Sequence, residues 1–267
     1  KPLIQQFFIY VNNVFHGNLG RSFNQYPRLV SDILRQSLPW TIAIQLPSLI
    51  IGWIIGNLLG AVAAYRKGIF DRIIFPLSLF FSSIPVFVLA LLMKYYLGVY
   101  AHWFPMQGAY DAELMPSATL TFYWSLFRHW QLPFLATCLV MIGGQAIGMR
   151  SMSLYELNAD YVLYAKLLGI PENKITKYVF KNAVLPQITG LALSLGTMIS
   201  GALITEIVFS YPGIGTQLVN AIHNVDYTLI SGCTLFISIT ALIANFTIEI
   251  IYGLIDPRIR AIQMEEE

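Results

Sequence analysis

The sequence predicts an all-α membrane protein with several spanning helices, and three observations support this prediction. Of the 267 residues, 56% are hydrophobic and only 11% are charged, whereas soluble domains carry about 25% charged residues. The mean hydropathy is +0.63. The few charges stand between long apolar runs rather than inside them, as expected because a charge at the centre of a spanning helix costs about 2.5 to 3.5 kcal/mol. These observations exclude an ordinary soluble domain.

Five apolar runs are long enough to cross a membrane, since a spanning helix needs roughly 20 largely apolar residues. They are residues 37–65, 73–93, 129–149, 184–205 and 227–248. Several of them contain or adjoin proline, and we expect kinks there, as at Pro85 and Pro186.

The distribution of basic residues predicts the orientation of these spans. Of the 16 Lys and Arg residues, ten lie on one side of the predicted spans and six on the other. Loops rich in Lys and Arg stay in the cytoplasm, which predicts a cytoplasmic C-terminus. Residues 1–36 then form an extracytoplasmic segment, residues 37–260 the transmembrane domain and residues 261–267 a cytoplasmic tail. Because five spans are an odd number, we expect a further span upstream of Lys1.

The first run carries small residues at a spacing of four, namely Gly52, Gly56 and Gly60. This spacing puts them on one helix face and allows a second helix to approach closely in lipid. The sequence therefore predicts a tight helix interface here, either within the chain or with a partner.

Several kinds of chemistry have no signature in the sequence. There is no phosphate-binding loop of the form Gly-x-x-x-x-Gly-Lys-Ser/Thr, so we do not expect this chain to bind ATP. The four histidines are scattered, and Cys138 and Cys233 lie within apolar runs, so no metal site is predicted. A net charge of +2 offers no surface for nucleic acid. We predict no catalytic residue and no cofactor bound by this chain.

The connection 151–185 is too patterned for a flexible linker, and we predict that it forms two short helices. Asn158 or Asp160 can cap the first of them. Helical spacing predicts one shared face for that helix, formed by Tyr161, Ala165 and Leu168.

The turn between these two helices has its own signals. Gly169 suits the left-handed position that follows a helix end, and Pro171 with Glu172 suits the start of the next helix. Pro186 then marks a bend into the following run. This helix–turn–helix knob is suited either to docking on another protein or to covering the ends of the spans.

Seven separated stretches together form a recognisable series. They are 17–22 (GNLGRS), 83–85 (SIP), 149–151 (MRS), 164–169 (YAKLLG), 181–186 (KNAVLP), 205–215 (TEIVFSYPGIG) and 256–260 (DPRIR). In this order the chain resembles the membrane permeases of binding-protein-dependent ABC importers, in particular the oligopeptide, dipeptide and nickel branch.

The resemblance implies a type I importer permease bundle of six spans, of which five fall in this sequence. It also implies that 151–185 contains the coupling loop that docks on a cytoplasmic ATPase subunit. Leu163 and Tyr164 stand where the family pattern has Glu and Ala, whereas Ala165 and Gly169 match it. The coupling residues carried over by position are Ala165, Lys166, Gly169, Ile170, Pro171 and Glu172.

The resemblance further implies the partners and the location of the chain. The partners are a second, homologous permease subunit, two ABC ATPase subunits that hold ATP and Mg²⁺, an extracytoplasmic substrate-binding protein and membrane lipid. The location is the cytoplasmic membrane of a bacterium or archaeon.

A charged residue stands at the outer edge of the fourth run. Glu206 could line an outer gate, or it could cap or pair locally at the interface, for example with Arg128 or Lys94. The predicted gate or pathway residues are Glu206, Tyr211, Pro212 and Gly213.

The function predicted is the transmembrane subunit of an ATP-driven importer that moves peptides into the cytoplasm by alternating access. Oligosaccharide or nickel are alternatives within the same class, although the scattered histidines disfavour nickel. An ion-coupled secondary transporter that works alone and a membrane scaffold are the alternatives from other classes.

Overall fold

The computed structural model describes residues 2–66 and 68–255, without the side chains at 196, 197, 199–202, 248, 249 and 251–255. The predicted motif at 256–260 and the tail 261–267 lie outside the described residues. Regular structure in the described part is helical: α1 Leu3–Phe15, α2 Val30–Arg66, α3 Ile69–Ser83, α4 Val86–Met93 with a π-helical extension Lys94–Tyr100, α5 Leu120–Leu157, α6 Asp160–Leu167, α7 Glu172–Val208, α8 Ile214–His223 and α9 Tyr227–Ile255.

Three described helices are long and apolar enough to cross a membrane, namely α2, α5 and α9. They contain the predicted runs 37–65, 129–149 and 227–248, which confirms these three predictions. Helix α5 extends beyond the charges at both ends of its run, and α2 extends beyond Arg35 at its N-terminal side, because a charged residue can end an apolar segment without ending a helix.

The glycines of α2 pack within the chain. A Cβ atom on Gly52 would lie 2.7 Å from the Cβ of Met141, and one on Gly56 would lie 2.6 Å from the Cβ of Gln145. A Cβ on Gly60 would meet the carbonyl oxygen of Ala146. All three neighbours belong to α5, so the predicted close interface is the α2–α5 contact.

The second predicted run, 73–93, is bent at the expected kink beside Pro85. The chain breaks between α3 and α4, and the two helices meet at 98°. Pro85 lacks an N–H group and disfavours helical backbone in the residue before it, so Ile84 is extended, with φ −81° and ψ 125°. The bent pair would be a fourth crossing only if both halves formed one span.

Helix α7 joins two segments that the sequence predicted separately. It begins at the turn after α6, passes through Pro186 and contains the whole of the predicted run 184–205. The second helix of the knob therefore does not end at Pro186. A proline inside a membrane helix is tolerated where neighbouring groups satisfy the freed carbonyl. With 37 residues, α7 is about 55 Å long.

Candidate functional site

The start of α6 differs from the prediction. The N-cap is Ala159, which makes no side-chain cap, so neither Asn158 nor Asp160 caps this helix. The reason is that α5 continues as far as Leu157, and Asn158 closes α5 instead. The Nδ2 of Asn158 donates to the carbonyl oxygen of Leu154 at 2.9 Å.

The end of α6 confirms the predicted turn. Gly169 has φ +71°, a backbone conformation that glycine adopts without a steric penalty. The N–H of Ile170 donates to the carbonyl of Ala165 at 3.0 Å, and the N–H of Gly169 donates to that of Lys166 at 3.0 Å. These two bonds form a Schellman cap, which leads the chain directly into α7.

The buried face of α6 is narrower than predicted. Val162 and Ala165 are buried against Ile175 and Val179 of α7. Leu168 was expected on this face, but it is 79% exposed, because it is the C-cap residue and lies beyond the last helical position. The side chain of Ala165 therefore contacts α7 and is not available to a partner.

A polar group joins α6 to both neighbouring helices. The hydroxyl of Tyr161 donates to Oε2 of Glu156 in α5 at 2.7 Å, and Nδ2 of Asn182 in α7 donates to the same oxygen at 3.4 Å. Burial and the bond to Glu156 raise the pKa of Tyr161 to about 12. The phenol is therefore protonated at neutral pH and holds α6 in one orientation.

The face of α6 that points away from α7 carries an apolar cluster that the sequence did not predict. We name it the α6 patch, and its members are 57 to 79% exposed: Leu163, Tyr164, Leu167 and Leu168. Contiguous exposed apolar groups commonly mark contact with another protein or with a membrane. The α6 patch therefore indicates a surface that another protein or lipid covers.

The predicted coupling residues divide into two groups around this patch. Lys166, Gly169, Pro171 and Glu172 are exposed, Ile170 is half-buried and Ala165 is buried. The exposed members are available to a partner, whereas Ala165 and Ile170 hold α6 against α7.

A second site lies at the other end of α7, where Glu206 is fully buried. The hydroxyl of Thr41 in α2 donates to its Oε1 at 2.6 Å. The N–H groups of Gly215 and Thr216 donate to its Oε2 at 2.8 and 3.3 Å. Because these N–H groups belong to the first turn of α8, the carboxylate also lies at the positive end of a helix dipole. We name this arrangement the Glu206 junction.

The junction connects three helices without a cationic side chain. Thr41 also accepts a bond from the N–H of Ile214 at 3.0 Å. Pairing of Glu206 with Lys94 or Arg128 is wrong, because Lys94 donates to the carbonyl of Val208 and Arg128 to that of Trp103. The other local alternative, a cap, matches the bonds that Glu206 accepts from the first turn of α8.

Small residues make the junction possible. A Cβ atom on Gly213 would overlap the carboxyl group of Glu206, and one on Gly215 would lie 2.5 Å from the Cα of Leu203. Of the residues predicted to form the outer gate, Tyr211 and Gly213 are buried like Glu206, and Pro212 is half-buried. The gating role itself stays a prediction.

The C-terminus of α7 repeats the cap seen at α6. Ser210 has φ +49°, its N–H donates to the carbonyl of Ile207 at 3.1 Å, and the N–H of Tyr211 donates to that of Glu206 at 2.8 Å. The ring of Tyr211 then packs edge-on against Trp40 at 5.7 Å between centroids. No pattern in the sequence predicts this contact, because it joins residues far apart in the chain.

The membrane-length helices α2, α5 and α9 identify a helical membrane protein. The α6 patch is a surface available to a partner. The profile of one family, described as binding-protein-dependent transport system inner membrane component, matches residues 56–261. The chain therefore belongs to this family of ABC transporter permeases, and the predicted family and fold class are confirmed.

Individual relatives match over almost the whole chain. It is 30% identical to the dipeptide transport system permease protein DppB of Lactococcus lactis subsp. cremoris, over 97% of this chain and 82% of that protein. It is 31% identical to the di/tripeptide transport system permease protein DppB of Pseudomonas aeruginosa, with the same two coverages. Among solved structures, the MetNI methionine ABC transporter in inward-facing conformations has a similar fold, with a TM-score of 0.62 at 16% identity over 84% of this chain and 96% of that one.

Proposed function

We propose that this chain is the membrane-spanning subunit of an ATP-driven importer that carries peptides into the cytoplasm by alternating access. The peptide substrate is supported by the similarity to dipeptide and di/tripeptide permeases. The same similarity disfavours oligosaccharide, nickel and an independent ion-coupled carrier.

The observation that carries the proposal is the α6 patch. Its four apolar side chains are exposed on a short helix that is fixed to α5 and α7 on its other side. We infer that the patch seats in a groove of a separate ATPase subunit, with Lys166 and Glu172 at its margin. This end of α7 then faces the cytoplasm, as does the C-terminus.

The assembly follows from this docking surface. One α6 patch engages one ATPase subunit, so a complex with two ATPase subunits needs a second permease subunit with a coupling helix of its own. ATP and Mg²⁺ bind to the ATPases, and a binding protein delivers peptide to the opposite side of the membrane. Closure of the ATPases on ATP moves α6, and the helices packed on it change between inward-facing and outward-facing arrangements.

The experiment compares surface variants in the reconstituted complex. Replacing Leu167→Ser and Leu168→Ser together removes apolar contact worth about 1.5 to 3 kcal/mol per fully buried side chain. We expect the permease to fold as before, with ATP-dependent uptake of a labelled dipeptide and co-purification of the ATPase reduced at least about tenfold, since 1.4 kcal/mol is tenfold in affinity.

The matched control is Leu120→Ser at the start of α5, where the leucine is 86% exposed but distant in sequence from α6. This variant should transport normally. Wild-type uptake by the α6 double variant would contradict ATPase docking at the patch. Dipeptide uptake by the isolated chain without ATP would instead identify a secondary carrier.

A further inference from the structure

Helix α1 is the first helix of the described chain, and most of its residues are exposed. It is 13 residues long, and none of them is buried. Its apolar side chains Leu3, Ile4, Phe7 and Phe8 are 61 to 83% exposed. A contiguous exposed apolar surface of this kind is rare on protein that faces water.

The polar side chains of α1 lie in one sector. Successive residues are about 100° apart around a helix axis, so Gln5, Gln6, Asn12 and Asn13 fall within about 120°, and Gln5 lies about 200° from Phe7. The helix carries no charged residue. The rest of the circumference is apolar except for the hydroxyl of Tyr10, and Ile9 is the one apolar residue inside the polar sector.

The length of α1 excludes a crossing of the membrane by this helix alone. Thirteen residues extend about 20 Å, whereas the hydrocarbon layer is about 30 Å thick. A helix with a wide apolar face, a narrow polar face and insufficient length to span is suited to lie in the interface between lipid and water.

The segment after α1 is fixed to the beginnings of two spanning helices. The N–H of Val30, the first residue of α2, donates to the carbonyl of Gly20 at 3.0 Å. The hydroxyl of Ser22 donates to Oδ2 of Asp226. The other oxygen of Asp226 accepts from the N–H of Leu229 at 3.1 Å and so caps α9. α1 is therefore held at the level where α2 and α9 begin.

The carboxyl group of this tether is ionised at neutral pH. Burial alone would raise the pKa of Asp226, but hydrogen bonds from Ser22, Leu229 and Asn24 hold it below its ordinary value. The N–H of Asn24 lies 3.1 Å from the carboxylate. A charge-assisted contact of this kind fixes the connection between α1 and the bundle.

One edge of α1 faces the bundle across an open cavity of about 300 Å³. Tyr10 and Asn13 line the cavity from α1, and Tyr227 and Thr228 line it from α9. α1 thus stands beside the bundle and not on it, and its apolar face is left uncovered.

We propose that α1 lies in the outer lipid–water interface, with Leu3, Ile4, Phe7 and Phe8 among the acyl chains and the Gln and Asn side chains in water. The occupant of the apolar face is bilayer lipid. Three observations favour lipid over protein: the face has no charged or hydrogen-bonding group to select a partner, the helix is tethered where spanning helices start, and the chain belongs to an inner-membrane family. The proposal does not depend on the substrate or on the role of α6.

The test places a nitroxide spin label on each face of α1 in the assembled complex in phosphatidylethanolamine–phosphatidylglycerol nanodiscs. Phe7→Cys and Gln5→Cys form a matched pair, since they are two residues apart on opposite faces and both are exposed. The native Cys138 and Cys233 are buried, so the label attaches at the introduced cysteine.

We expect the label at Phe7→Cys to collide mainly with oxygen, which concentrates in lipid, and the label at Gln5→Cys mainly with a water-soluble nickel chelate. The ratio of the two accessibilities should differ at least severalfold between the sites. Equal access of the nickel chelate to both labels would overturn the proposal in favour of a helix free in water. Protection of the Phe7→Cys label from both reagents would overturn it in favour of a protein partner.

Discussion

Two turns flank α7, and both are closed by the same pair of backbone hydrogen bonds. The turn between α6 and α7 places Gly169 in the left-handed conformation at φ +71°, and the turn between α7 and α8 places Ser210 there at φ +49°. Beyond the backbone the two ends differ. The first presents the exposed α6 patch, and the second encloses the buried Glu206 junction.

The α6 end is a surface available to another molecule, whereas the Glu206 junction is a contact within the chain. At the α6 end, Val162 and Ala165 are buried against α7, and the larger apolar side chains remain exposed. At the other end, each carboxylate oxygen of Glu206 has a donor, and the glycines leave no room for a further group. The first end leaves large apolar side chains exposed, whereas the second is enclosed by the chain itself.

The largest effect is expected at the Glu206 junction. Glu206→Ala leaves the hydroxyl of Thr41 and the N–H groups of Gly215 and Thr216 buried without their acceptor. Because each buried unsatisfied group costs about 1 to 3 kcal/mol, we expect a loss of several kcal/mol, measured as a lower thermal unfolding midpoint of the purified permease.

Glu206→Gln is the control for this prediction, since it keeps one acceptor oxygen in the same shape and should lose less stability than the alanine variant. If Glu206→Ala unfolded at the wild-type temperature, the hydrogen bonds of Glu206 would not stabilise the contact between α2, α7 and α8.

An intermediate effect is expected at Gly169. A Cβ atom there would meet nothing within 4 Å, so Gly169→Val tests the backbone conformation alone. The left-handed region costs roughly 1 to 2 kcal/mol for a residue with a side chain, and more for a β-branched one. We expect the free energy of local opening at the α6–α7 turn to fall by that amount, measured through hydrogen exchange of the amide of Ile170.

Gly169→Asn provides the comparison for that variant, because asparagine tolerates the left-handed conformation better than valine. Equal protection of the Ile170 amide in the valine variant and the wild type would mean that the turn is not needed to hold α6.

The smallest effect, and one of opposite sign, is expected at Ser210. Its side chain is exposed, so Ser210→Gly removes mainly the cost of a left-handed serine, partly offset by the greater freedom of glycine in the unfolded chain. We expect a gain of about 0.5 kcal/mol, seen as a slightly higher thermal unfolding midpoint. A clear loss of stability would indicate that the serine hydroxyl has a structural role.

The sequence predicted the parts of this molecule whose causes are local. Gly169 followed by Pro171 and Glu172 contains the chemistry of a helix end and a helix start within four residues, and the structure has both. The runs inside α2, α5 and α9 were likewise predictable, because hydropathy is summed over neighbours. Pro85 predicted a kink, but its size, a 98° corner, depends on how α3 packs on α5.

What depends on distant residues could not be predicted. Glu206 and Thr41 are 165 positions apart, and no pattern in the sequence connects them. Leu167 and Leu168 are apolar, and periodicity alone does not distinguish a helix face that packs within the chain from one that stays exposed. The prediction that Leu168 shares a face with Tyr161 and Ala165 is wrong for a different reason, because Leu168 is the C-cap residue of α6.

The continuity of α7 through Pro186 has a mechanical consequence. A helix of 37 residues acts as a lever arm of about 55 Å, so a tilt of about 5° around one end displaces the other end by about 5 Å, close to the pitch of one helical turn. With α6 attached at one end and α8 held by Glu206 at the other, a small tilt at the α6 end becomes a displacement at the Glu206 junction large enough to separate packed side chains.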